Sequence, residues 1–146
     1  MPATPRPARP FLLPAAALVA LVGGPVPADA AEVARSGQVE IALNLKTGAA
    51  IPDGTEVSIS VSGSAADAAR SNFSSTNAEA TVSGGRITAT LSLYYTWLVS
   101  AKEQATVAVS VTASKGSYSV SSSFGCFAGE VPPPNAVTHC AIDSSL

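Results

Sequence analysis

The sequence predicts an all-β protein, an antiparallel β-sandwich of about six or seven short strands. Apolar and polar residues alternate in several segments, charged residues make up only 12% of the chain, and turn signals separate most of the segments. A period of two places the apolar residues on one face of a strand and the polar residues on the other. Serine and threonine take the polar positions, which indicates hydroxyl-lined sheets rather than helices with charged faces.

The first 30 residues have the three parts of a secretory signal peptide. Arg6 and Arg9 supply the positive charge, residues 11–22 are apolar, and residues 28–30 read Ala-Asp-Ala, with cleavage expected after Ala30. A membrane anchor is the alternative, but the apolar run falls short of the roughly 20 residues that a bilayer span needs. We therefore expect a secreted or periplasmic protein with no stable membrane span after signal removal. The alanine-rich signal is typical of bacterial proteins.

The mature chain is predicted to be one domain, residues 38–146, preceded by a flexible leader, residues 31–37. The first strand is expected at residues 38–46, where every second residue is apolar. Pro52-Asp53-Gly54 then predicts a turn, because proline presets φ and glycine accepts a positive φ. The second strand is expected at residues 55–62.

The least regular part is residues 63–77, where we expect a connection with at most one helical turn and with Phe73 filling the core. A short strand is expected at residues 78–83. Gly84–Gly85 then predicts a two-residue hairpin, since both glycines can adopt a positive φ.

Two central strands are predicted next, at residues 86–99 and 105–114, followed by another at residues 117–124. The first contains the only aromatic cluster of the chain, and its alternation places Tyr95 and Trp97 in the core and Tyr94 outside. Tyr94 is therefore a candidate platform for a sugar ring or a protein partner. The alternative is that this cluster only closes one end of the sandwich.

The C-terminal part holds both cysteines, and a last short strand is expected at residues 137–142. In an exported chain two cysteines indicate one disulfide, Cys126–Cys140, which closes a loop of about 15 residues. Metal binding is one alternative, because His139 adjoins Cys140, and free thiols or an intermolecular disulfide are the other. No C-x-x-C spacing supports a zinc site, so we predict no metal and no cofactor.

Inside the predicted disulfide loop lie three consecutive prolines, Pro132, Pro133 and Pro134. Consecutive prolines stiffen a segment, so that little entropy remains to be lost on binding. Such a loop suits a ligand-binding protein or a protease inhibitor. The alternative is a surface connection that is tied down against fraying.

This strand pattern resembles that of secreted Ig-like modules, at the level of pattern alone. Antibody-type domains join their two sheets by a disulfide with a tryptophan packed against it. Here both cysteines lie near the C-terminus, so the resemblance implies a sandwich and no particular function.

Composition and motifs exclude several classes of function. Sparse charge argues against nucleic acid, which needs clustered Lys and Arg. His139 is the sole histidine, and no G-x-S-x-G motif is present. Carboxylates such as Glu103 lie at predicted turns or strand edges, where a solvated charge is expected. A hydrolase using His139 is thus a remote alternative.

We predict a non-enzymatic structural, adhesive or binding module with a protein or glycan partner. Edge strands could also self-assemble, and strand 38–46 could be donated to a neighbour.

Overall fold

The computed structural model describes residues 32–66, 71–100 and 103–146. Across these residues the protein is all-β, with seven strands and no helix, and therefore no helix that could cross a membrane. The strands are β1 (Val33–Lys46), β2 (Glu56–Ala66), β3 (Ser71–Thr81), β4 (Arg86–Val99), β5 (Gln104–Lys115), β6 (Tyr118–Glu130) and β7 (Ala136–Ser145). The predicted signal peptide lies outside the described residues.

The seven strands form two sheets. One sheet has three strands in the order β4-β1-β7, and the other has four in the order β3-β2-β5-β6. All neighbouring strands are antiparallel except β1 and β7, which run parallel. The segment between β6 and β7 therefore carries the chain from an edge of one sheet to an edge of the other.

The two sheets share one hydrophobic core, and the alternation predicted from the sequence is confirmed in the strands that build it. Burying one such aliphatic side chain contributes about 1.5–3 kcal/mol. The inward-facing apolar residues include Val39, Ile41, Leu43 and Leu45 of β1, Val57, Ile59 and Val61 of β2, Ile87, Leu91 and Leu93 of β4, and Val107, Val109 and Val111 of β5.

The predicted diglycine hairpin is also present. Gly84 and Gly85 have φ values of 60° and 67°, and Ser83 and Arg86 exchange two backbone hydrogen bonds across the turn at 2.9 and 3.1 Å. Two positive φ values are those of a type I′ turn. The carboxylate of Asp53, in the predicted Pro52–Gly54 turn, accepts the N–H groups of both glycines at 2.9 Å.

These two hydrogen bonds predict a pH-dependent effect of Asp53→Asn. Accepting the N–H groups of Gly85 and Gly84 lowers the pKa of Asp53 below its usual 3.8. A carboxyl whose pKa is lowered by folding stabilises the protein above its unfolded pKa and loses this effect as the pH falls through the folded value. Asp53→Asn should therefore lower the melting temperature at pH 7, and the difference from wild type should shrink below pH 4. A difference that stays constant from pH 7 to pH 2 would contradict this role.

The predicted leader differs from the structure, because β1 begins at Val33 rather than at residue 38. Residues 33–37 continue the pairing with β4, with Gly37 opposite Tyr95. The absence of a side chain at Gly37 makes this possible, since a Cβ there would collide with the Tyr95 ring. An apolar alternation is missing at these positions, so the sequence showed no strand here.

The irregular segment also differs from its prediction. β3 runs from Ser71 to Thr81. The helical turn was expected at residues 65–70, but residues 65–66 belong to β2, and residues 67–70 lie outside the described residues. Phe73 does not fill the core, because it is 69% exposed. The inward positions of β3 are instead small or polar, as in Asn72 and Ser74, and this hid the strand from a search for apolar alternation.

One of the two strands predicted to be central lies at an edge. β5 is central in the four-stranded sheet, whereas β4 is an edge strand of the three-stranded sheet. The strand predicted at residues 38–46 lies within β1, which pairs with β4 along its whole length and with β7 from Gly37 to Lys46. It therefore pairs within its own sheet on both sides.

Candidate functional site

The predicted disulfide between Cys126 and Cys140 is present, with Cα atoms 5.7 Å apart. It joins β6 in the four-stranded sheet to β7 in the three-stranded sheet, so it is a link between sheets. A β-bulge interrupts the pairing of β6 with β5 at this point, because Val107 pairs with Phe127 and Ala108 with Gly125. The bulge leaves Cys126 as the extra residue. A bulge redirects side chains in this way, and here both Cys126 and Phe127 pack against the core.

The three prolines lie in the turn that follows β6. Pro133 and Pro134 are exposed and Pro132 is partly buried. The turn is held by backbone hydrogen bonds from Ala136 to the Pro133 carbonyl at 3.2 Å and from Asn135 to the Ser36 carbonyl at 2.7 Å. Asn135 has a φ of 60°, a left-handed conformation that asparagine tolerates. The turn is thereby anchored to β1.

A buried carboxylate supports the start of this turn. Glu103 accepts the Ser100 N–H through Oε2 at 3.0 Å, and its own carbonyl accepts the Val131 N–H at 3.1 Å. Glu103 is buried, whereas the sequence suggested a solvated charge. Its position ties the segment before β5 to the segment after β6, and we assign it a structural role.

Tyr94 points outward from β4 and is 70% exposed. Gln38 pairs with Tyr94 on one side and with Val137 on the other, so the three side chains form one row across the outer face of the sheet. A groove of about 360 Å³ follows this row and continues to Ser36 and Asn135. The structure thus brings Tyr94 and the end of the proline turn to one groove.

The two other aromatic residues of this cluster face inward, as predicted. Tyr95 and Trp97 are 3% and 1% exposed, and their rings stack with centroids 4.2 Å apart. Burial raises the pKa of the Tyr95 hydroxyl. The two rings support β4 from the core side and leave Tyr94 as the aromatic group that a ligand can reach.

A row of polar side chains lies directly beside the groove. The Gln38 amide donates to Glu40 Oε1 and lies 3.1 Å from Ser92 Oγ. The other Glu40 oxygen lies 3.2 Å from His139 Nδ1. These four residues occupy neighbouring positions on the outer faces of β4, β1 and β7. They offer amide, carboxylate, hydroxyl and imidazole groups within one patch.

His139 ends this row, and it does not contact Ser92, the serine of the row. It is 75% exposed, and its partner is Glu40. Ser92 lies on the far side of Glu40, two strand positions from His139 and so about 10 Å away. A nucleophile and its base need direct hydrogen-bond contact, which this order of residues does not provide.

The residues that the sequence suggested as metal ligands do not form a metal site in the described part of the chain. Cys126 and Cys140 are bonded to each other. Among residues 32–66, 71–100 and 103–146, no three His, Cys, Asp or Glu side chains come together as a metal cluster.

The sequence pointed to Tyr94, the prolines and the disulfide as candidates, and of these the disulfide is confirmed; it did not single out Gln38, Glu40 or Asn135, which lie beside Tyr94 and the proline turn. The alternation of β1 does place Gln38 and Glu40 outward. Their importance appears only with the register that sets them between β4 and β7. Comparisons of this chain with protein-family models, with curated proteins and with solved structures find no match, so the geometry of the outer sheet face carries the functional argument.

Proposed function

We propose that this protein is an exported, non-enzymatic binding module of the Ig-like sandwich type, and that it binds a glycan on the outer face of its three-stranded sheet. The observation that carries the proposal is the position of Tyr94, an exposed aromatic ring in the middle of a regular strand, with an ordered polar row beside it. We call this surface, formed by Tyr94, Gln38, Glu40, Ser92 and His139, the Tyr94 face.

The chemistry of the Tyr94 face suits a sugar. One side of a sugar ring presents C–H groups that pack on an aromatic ring, and its hydroxyls need both donors and acceptors at the rim. Gln38 and His139 can donate, and Glu40 can accept. Hydrogen bonds already hold Gln38 and Glu40 in place, so less side-chain entropy is lost when a ligand binds.

Export is supported by the signal-like N-terminus and by the disulfide, which is typical of oxidising compartments. The non-enzymatic part of the proposal is supported by the 75% exposure of the His139 side chain, which lies on an open face of the sheet. An enclosed site that excludes water would favour chemistry, and the Tyr94 face is an open sheet surface.

A protein ligand is the second candidate, and the exposed prolines favour it. Pro133 and Pro134 lie in a turn that is closed by the disulfide and anchored to β1, which is how an inhibitor presents a rigid contact. This candidate predicts that replacing these two prolines by alanine weakens binding, whereas the glycan proposal predicts little effect.

We expect Tyr94→Ala to weaken glycan binding by about 5- to 30-fold, because truncating an aromatic anchor costs about 1–2 kcal/mol. The melting temperature should hardly change, since the side chain is exposed and makes no core contact. The measurement is a screen of the wild-type protein on a glycan array, followed by titration calorimetry with the best oligosaccharide.

Phe73→Ala is the matched control, because Phe73 is an aromatic residue of β3 on the other sheet and is as exposed as Tyr94, 69% against 70%. It should leave the affinity unchanged. Equal binding by the wild type and Tyr94→Ala would contradict a glycan site on this face.

A further inference from the structure

β6 is an edge strand whose first part, residues 118–124, has none of the usual protection against pairing. Among the described residues it pairs only with β5, its bulge lies further on, at Cys126, and no Lys, Arg, Asp, Glu or Pro occurs from Tyr118 to Gly129. Edge strands normally carry charges or prolines that prevent association. Two of the other edge strands carry a charge within the strand, Glu79 on β3 and Asp143 on β7. On β4 the charge is Arg86 at the start of the strand, as Glu130 is at the end of β6.

The hairpin before β6 determines which of its backbone groups face outward from the sheet. Lys115 and Tyr118 pair across a two-residue turn in which Gly116 has a φ of 61°, as in a type II′ turn. Such a turn closes with a hydrogen-bonded pair, as at Ser83 and Arg86. Hydrogen-bonded and non-hydrogen-bonded pairs then alternate along the strands.

It follows that Ser119, Ser121 and Ser123 direct their N–H and C=O groups away from β5. Their hydroxyls lie on the outer face of the sheet, where Thr112 and Ser110 contact Ser121 and Ser123 at 2.8 and 3.0 Å. Three evenly spaced residues thus present a row of backbone donors and acceptors at the sheet edge.

We propose that β6 pairs with β6 of a second copy of this chain, antiparallel and about a two-fold axis through Ser121. In this register Ser121 lies opposite its own copy and Ser119 opposite Ser123, so that all three outward-directed residues form hydrogen-bonded pairs. About six N–H···O bonds result. The two four-stranded sheets become one sheet of eight strands.

The side chains on the inner face of β6 fit the same register. Tyr118 of one copy lies opposite Phe124 of the other, and Val120 lies opposite Ser122. A cross-strand aromatic pair stabilises a sheet, and this pairing gives a partner to Tyr118, which is 43% exposed in the single chain. The bulge at Cys126 ends the regular strand after Gly125, so the paired segment is residues 118–124.

Charge favours the antiparallel orientation. Glu130, the one charged residue of β6, ends the strand. Antiparallel pairing places the two Glu130 carboxylates at opposite ends of the interface, whereas parallel pairing would bring them together. Antiparallel pairing also closes the assembly as a dimer with two-fold symmetry.

The dimer also has a consequence for ligand binding at the Tyr94 face, and this one point rests on the proposed function. A two-fold axis perpendicular to the joined sheet leaves both three-stranded sheets on the same side. Both Tyr94 faces would then point in the same direction and could bind one multivalent surface, which raises avidity. The pairing itself is tested without a ligand, so its failure is distinguishable from a failure of the glycan site.

The first experiment is size-exclusion chromatography with light scattering on the full chain, expressed for export and purified without reductant. We expect twice the monomer mass at micromolar concentrations. Ser121→Lys should give the monomer mass, because it places two like charges at the axis. Ser60→Lys is the control, since it adds the same charge to the same sheet face on the central strand β2, and it should remain a dimer.

The register is tested by oxidative cross-linking of cysteine variants. Ser121→Cys should form a covalent dimer, because the two introduced thiols face each other. Ser119→Cys should not, since the two thiols lie four residues apart, about 14 Å. A wild-type protein that stays monomeric, a dimer that survives Ser121→Lys, or cross-linking of Ser119→Cys in place of Ser121→Cys would each overturn the proposal.

Discussion

Replacing Trp97 with alanine is expected to destabilise the protein by about 3–5 kcal/mol. Trp97 is buried in the core, stacks on Tyr95, and donates from Nε1 to Ser74 Oγ at 3.0 Å. The ring also packs where β2 has no side chain, because a Cβ on Gly63 would lie 3.2 Å from Trp97 Cζ2. Glycine cannot fill the space that the truncation leaves, so the loss of stability caused by the cavity should be large.

This loss is comparable with the whole stability of a typical domain, about 5–15 kcal/mol. The measurement is urea unfolding followed by circular dichroism, because Trp97 is the sole tryptophan and its fluorescence is lost in the variant. Trp97→Phe keeps an aromatic ring and loses the hydrogen bond to Ser74, and we expect a smaller effect. Tyr94→Ala removes an exposed ring from the opposite face of the same strand and should be nearly neutral. A loss below about 1 kcal/mol for Trp97→Ala would contradict the packing described here.

Removing the disulfide by the double substitution Cys126→Ala and Cys140→Ala is expected to cost about 3 kcal/mol. The loop that the bond closes spans a sequence separation of 14 residues, and the open loop regains entropy in the unfolded chain. Alanine is chosen because Cys140 is buried, where a serine hydroxyl would need a hydrogen-bond partner.

The structural effect should be greatest at β7. This strand pairs with β1 on one side, and the disulfide is its covalent link to the other sheet. Hydrogen exchange should therefore accelerate in β7 before the rest of the core. Reductant should shift the urea midpoint of the wild type toward that of the double variant and leave the variant unchanged. Equal midpoints for the oxidised wild type and the variant would show that the bond adds no stability.

These two predictions concern the two lateral sides of the molecule. On the side of β3 and β4, side chains close the gap between the sheets, because Asn72 bonds the N–H and the carbonyl of Leu98 and Trp97 bonds Ser74. On the side of β6 and β7, the disulfide closes it. The two features share no partner, so we expect their effects to be additive within about 0.5 kcal/mol.

Much of the local structure was predictable from the sequence. The alternation placed Tyr95 and Trp97 inside and Tyr94 outside, and the diglycine turn and the disulfide followed from residue types. These are local properties, since the side-chain direction in a strand depends on a period of two and a turn depends on the φ values that a few residues allow.

Strands without apolar alternation were not predictable in the same way. Residues 33–37 and the first half of β3 became strands because long neighbours, β4 and β2, offer them backbone partners. Gly37 and Ser74 contribute no apolar signal, and their roles are to make room for Tyr95 and to bond Trp97.

By itself, therefore, the sequence determined the all-β class, the inward face of β1, β2, β4 and β5, and the candidate residues Tyr94 and Pro132–Pro134. Only the tertiary structure decided which strands are edges and which residues meet. The row that joins Ser92, Glu40 and His139 comes from three strands that are distant along the chain. Its existence depends on strand order and register. These arise because distant segments must pair their backbone groups and bury their apolar faces at the same time.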